Sequence, residues 1–68
     1  MNLISVSSSN IESVGYENNT LYVRFLNGSL YAYFNVSETV YLSLMSASSH
    51  GKYLNAYIKG IYQYSKLN

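Results

Sequence analysis

The stretch "LYVRFLNGSLYAYF", residues 21–34, decides the fold. It reads as two β-strands around Asn27-Gly28, the strongest short-range hairpin signal available to a sequence. Side chains alternate between the two faces of a strand, so the turn fixes which residues share a face. A two-residue Asn27-Gly28 turn sets Phe25 against Leu30, Arg24 against Tyr31, Val23 against Ala32, Tyr22 against Tyr33 and Leu21 against Phe34. One face then holds Leu21, Val23, Phe25, Leu30, Ala32 and Phe34, an apolar core. The other holds Tyr22, Arg24, Tyr31 and Tyr33.

Upstream, "NIESVGYE" reads as a strand, with Gly15 marking a bulge or a close backbone approach. Asn18-Asn19 forms a second two-residue turn, because asparagine tolerates positive φ. It sets Tyr16 against Leu21, Gly15 against Tyr22 and Val14 against Val23. Residues 1–9 are a polar, Ser-rich lead-in, frayed or forming a short edge strand, and residues 10–68 form a single domain.

After Phe34 the period changes from strand to helix. Val40, Tyr41, Leu44 and Met45 fall on one helical stripe, with Asn35 or Ser37 as the cap. "SSHG" breaks the run, and Tyr53, Leu54, Tyr57 and Ile58 form a second stripe that Gly60 ends. "IYQYSKL" is a short last strand or an extended tail. The expected fold is α+β in two layers: a three-stranded antiparallel meander packed on two short helices.

Composition narrows the function classes. The chain has 68 residues, 49% of them hydrophobic, with nine tyrosines and no cysteine. Disulfides and thiolate metal sites are excluded, and one histidine with three acidic residues argues against zinc. The sequence holds no aspartate, and its glutamates stand far apart, so Ser48, Ser49 and His50 are a solvated turn rather than a catalytic group. The glycines stand singly, without a phosphate loop. No run approaches the ~20 apolar residues of a membrane span. No signal peptide begins the chain, so a cytoplasmic protein is expected. A net charge of +1 gives no basis for duplex DNA binding.

The aromatic face is the informative feature. Cross-strand aromatic pairs stabilise a sheet by about 0.2–1 kcal/mol each, so the tyrosines can be purely structural. Exposed aromatics beside arginine are also how sheets stack single-stranded RNA bases. Tyr and Arg are equally the residues of protein–protein hot spots. Lys52 and Lys59 lie seven apart, hence on one helical face, and with Arg24 and Lys66 form a basic rim. Four such cations on a single strand give a salt slope of about −3. Asn55 bonds backbone in the helix–sheet seam or faces a ligand.

The ordered features resemble the KTSC domain family from about residue 10 to residue 64. They are Ile11, Val14-Gly15-Tyr16, Phe25 with Asn27-Gly28, and Tyr31-x-Tyr33. Val40-Tyr41, Leu44, Ser48, Gly51, Tyr53, Asn55, Ile58 and Tyr62-x-Tyr64 continue them. Ser37 departs from the family, whose members often carry proline there. The family occurs at the C-terminus of some lysyl-tRNA synthetases and as stand-alone bacterial and phage proteins. The resemblance implies this fold and a lean toward RNA.

The expectation is therefore a small non-enzymatic binding module without a cofactor. Single-stranded RNA or tRNA is the favoured partner, through Tyr22, Arg24, Tyr31, Tyr33, Lys52, Asn55 and Lys59. The alternative is a protein-interaction or homo-oligomerisation module on the same face, including a phage protein that acts on a host component or a nucleotide ligand.

Overall fold

The computed structural model describes residues 2–68. Five strands form one antiparallel sheet in sequence order. They are β1 (Ile4–Ser5), β2 (Ile11–Glu17), β3 (Thr20–Phe25), β4 (Leu30–Phe34) and β5 (Tyr64–Lys66). Two helices, α1 (Glu38–Ser46) and α2 (His50–Tyr57), lie between β4 and β5 in the chain. The meander has two strands more than expected. The Ser-rich lead-in supplies the short edge strand β1, and the tail resolves to β5, paired with β4. Neither helix is long and apolar enough to cross a membrane.

The first hairpin follows the sequence reading. Asn18 and Asn19 take φ of 53° and 61°, the left-handed pair a two-residue primed turn requires. Val14 faces Val23, Gly15 faces Tyr22 and Tyr16 faces Leu21. A bulge between Ile11 and Ser13 then steps the register, so Ile11 faces Phe25.

The second hairpin does not. The Gly28 amide donates to the Phe25 carbonyl at 2.9 Å, and the Phe25 amide donates to the Ser29 carbonyl at 2.8 Å. Only Gly28 takes a positive φ here, 93°, and Asn27 Oδ1 accepts from the Ser29 amide at 2.9 Å. This is a three-residue loop, Leu26-Asn27-Gly28, with a turn followed by a glycine bulge. Leu26 is held in it by a hydrogen bond that its amide donates to the Asn10 carbonyl, 2.9 Å. The extra loop residue moves the pairing by one: Leu21 faces Tyr33, Tyr22 faces Ala32, Val23 faces Tyr31 and Arg24 faces Leu30.

A shift of one exchanges the faces of β4. Tyr31 and Tyr33 therefore turn toward the helices with Leu21 and Val23. Leu30, Ala32 and Phe34, expected on the core face, turn to the other side beside Tyr22 and Arg24, where Ala32 is nevertheless buried. The core is Ile11, Val14, Leu21, Val23, Tyr33, Val36, Leu44, Leu54 and Ile58, with Val40 and Tyr41 against it. At ~25 cal/mol per Å², each large side chain buried there contributes roughly 1.5–3 kcal/mol.

Serines cap both helices. Ser37 Oγ accepts from the Val40 amide at 3.4 Å, and Ser49 Oγ from the Lys52 amide at 3.3 Å. Asn35 is instead a turn residue, with φ of 59°. The second helix begins at His50, so His50 and Gly51 lie in its first turn rather than in a breaker. His50 is half-buried, with Nδ1 2.9 Å from the Leu44 carbonyl oxygen. A Cβ on Gly51 would meet the Asn10 side chain, which is why this turn of helix carries glycine.

Candidate functional site: a tyrosine groove between sheet and helix

The proposed aromatic-plus-arginine face is divided by the register. Tyr22 and Arg24 remain on the outer face, with Tyr22 between Gly15 and Ala32. Arg24 does not meet Tyr31. Its guanidinium donates to the Gly28 carbonyl at 3.0 Å, and its Nε lies 3.9 Å from Glu12 Oε1. These contacts brace the turn. Such an exposed ion pair contributes about 0–1 kcal/mol.

Tyr31 and Tyr33 meet a ring that the sequence reading did not include. Tyr64, on β5, lies directly across from Tyr33. The three form a triangle, with ring centroids 6.3 Å apart for Tyr31–Tyr33, 5.7 Å for Tyr31–Tyr64 and 5.9 Å for Tyr33–Tyr64. Phe25 meets Tyr31 edge-on at 5.5 Å. Centroid separations of 4.5–7 Å are those at which aromatic rings attract. Strand alternation in "IYQYSK" was the available signal for Tyr64, since a last strand there places alternate residues on one face.

The rings line a groove of about 540 Å³ between the helix-facing side of β4 and β5 and the second helix. Asn10, Asn27, Asn55 and Lys59 supply its polar groups. Asn55 is exposed on α2 and lines this groove rather than bonding backbone in a seam. Lys52 lies outside it. The expected shared face for Lys52 and Lys59 fails because α2 ends at Tyr57, and Lys59 sits in the turn that follows. Lys66 lies opposite Tyr31, on the tyrosine side of the sheet.

The groove is electrostatically one-sided. Lys59 is a lining residue, and no acidic residue lines it among the described residues. Tyr33 is 3% exposed. Burial, then the neighbouring Tyr31 and Tyr64, holds its hydroxyl above the ordinary value of 10.0. It is therefore a neutral donor at physiological pH. Tyr16, by contrast, serves the frame: it stacks on Tyr41 at 4.9 Å and donates to the Val36 carbonyl at 2.6 Å.

A five-stranded antiparallel sheet with a paired-helix insertion and an aromatic groove defines a small α+β domain. Comparison with known proteins places it. The KTSC domain family profile matches residues 7–65, and the chain belongs to that family. The crystal structure of a KTSC domain protein from Yersinia pestis superposes with a TM-score of 0.92 at 36% identity, covering 98% of this chain and 97% of that one. A lysine–tRNA ligase from Nostoc sp. is 38% identical over 68 residues, and a second from Trichormus variabilis is likewise 38% identical. Each match covers 97% of this chain and 12% of the ligase, so the chain spans about an eighth of those relatives. A protein from Tsukamurella paurometabola is 38% identical over 56 residues, 79% of this chain and 84% of that protein.

Proposed function

We propose that this domain is a non-enzymatic module that binds single-stranded RNA, tRNA included, in the tyrosine groove. The observation that carries the reading is the convergence of Tyr31, Tyr33 and Tyr64 with Asn55 and Lys59 on one concave surface. Aromatic faces bind unstacked bases without regard to sequence, at about 1–3 kcal/mol per base. Cations beside them hold the phosphates. The similarity to lysine–tRNA ligases supports an RNA partner.

This reading replaces the face drawn from the sequence. Tyr22, Arg24 and Lys52 stand apart from the groove and are not contacts in it. Two cations, Lys59 and Lys66, remain on the tyrosine side, and a strand that meets both gives a log–log salt slope of about −1.4.

Fluorescence anisotropy with a labelled mixed-sequence RNA nonamer tests the proposal. Tyr64 is 59% exposed, so its removal leaves the core intact. Tyr64→Ala is expected to weaken binding about tenfold, while Arg24→Ala leaves it within about twofold, the effect of a charge far from the strand. Absence of binding at low salt, or an Arg24→Ala loss as large as that of Tyr64→Ala, overturns it.

A further inference from the structure

A largely buried residue of the groove carries a polar group that the fold does not use. Among the described residues, the tyrosine hydroxyl with hydrogen bonds inside the chain is that of Tyr16. Tyr33 belongs to the core cluster and is 97% enclosed, yet its hydroxyl has no partner there. Among the described residues, no side-chain oxygen or nitrogen is sealed away without a hydrogen bond. The Tyr33 hydroxyl therefore keeps contact with solvent, and the residue lines the groove. A phenylalanine would fill the same core position without placing a hydroxyl at the groove floor.

We infer that the groove is a pocket for one unstacked nucleobase, with Tyr33 presenting its hydroxyl to the polar edge of that base. The inference rests on the RNA-binding reading and specifies what the groove does within it. Tyr31 and Tyr64 supply flat apolar rings beside that hydroxyl. The Asn55 and Asn10 amides each carry a donor and an acceptor, the complement of a base edge. Lys59 provides the charge for an attached phosphate. A volume of about 540 Å³ falls within the ~300–1,000 Å³ of small-ligand sites. A hydroxyl at the end of a rigid, packed ring reads one edge geometry, whereas stacking alone tolerates every base. The module thus has one position at which it discriminates.

The shared chemistry is the nucleobase, presented by a strand or by a free nucleotide. The test uses oligo(A), oligo(C) and oligo(U) ribonucleotide nonamers alongside AMP, CMP, GMP and UMP. Wild-type protein is expected to separate its best and worst nonamer by about fivefold, the value of one hydrogen bond. Tyr33→Phe, which loses no internal bond, is expected to melt no lower than wild type and to compress that range to about twofold. Asn55→Ala, at an exposed position, is expected to compress it as well and guards against misfolding of the first variant. If the nonamers bind alike, or a folded Tyr33→Phe keeps the preference, the base pocket is wrong and the RNA-binding reading stands. If no nonamer binds but a nucleotide does, and Tyr33→Phe weakens it, the pocket stands and the strand reading falls. If neither binds, both fall.

Discussion

The two hairpins that share β3 are both built on asparagine turns, yet they treat the register differently. At Asn18-Asn19 both residues take left-handed φ, the loop holds two residues, and facing pairs fall where alternation places them. At Asn27-Gly28 only the glycine is left-handed, Leu26 joins the loop, and pairing moves by one. The same residue types thus send Tyr16 and Leu21 where the pattern indicates, and Tyr31 and Tyr33 to the opposite side. Loop length, rather than the presence of an Asn-Gly pair, sets which face a strand gives to the core.

Two substitutions and one deletion probe that contrast. The largest effect is expected for Gly28→Val. A Cβ at this position would touch nothing within 4 Å, so the cost comes entirely from the backbone at φ of 93°. It should amount to about 2 kcal/mol in chemical denaturation, because a β-branched residue resists this region. Deletion of Leu26 comes next. It converts the second loop to two residues while Phe25 still closes against Ser29, so Val23 should remain opposite Tyr31 in cross-strand NOEs. Loss of the Leu26–Asn10 bond costs about 1 kcal/mol. Reversion of Tyr31 to the outer face in that variant would refute the account of loop length. The smallest effect is expected for Asn18→Gly. Asparagine already tolerates its φ of 53°, so stability should change by less than about 0.5 kcal/mol, readable as a shift in denaturation midpoint.

Much of the fold was legible. The helical stripes through Leu44, Leu54 and Ile58 are buried as their spacing indicated, and the Asn18-Asn19 register is as read. The second turn was not legible, because Leu-Asn-Gly fits a two-residue primed turn and a three-residue bulged turn equally well. Tyrosine could not arbitrate between them. Its ring packs in a core and its hydroxyl tolerates water, so Tyr31 and Tyr33 satisfy either face. Leu30 and Phe34 looked like core, but apolar residues also sit on surfaces, and Phe34 is 38% exposed, whereas Ala32 is buried on the outer side of the sheet. Asn55 and Lys59, singled out by residue type, line the groove, and so does Tyr64, which was not among the candidate contacts. Its contacts depend on pairing with a strand far away in sequence, which local periodicity does not report.

That distant pairing has a consequence for assembly. The two asparagine hairpins join neighbours in sequence and can zip early, whereas β5 reaches β4 only across both helices. Closing so long a connection carries an entropic penalty that local turns avoid. Tyr64 completes the triangle of rings from a strand of three exposed residues, whose pairing should therefore form late. The Tyr64 wall of the groove is therefore expected to form last and to open first, while the meander still stands.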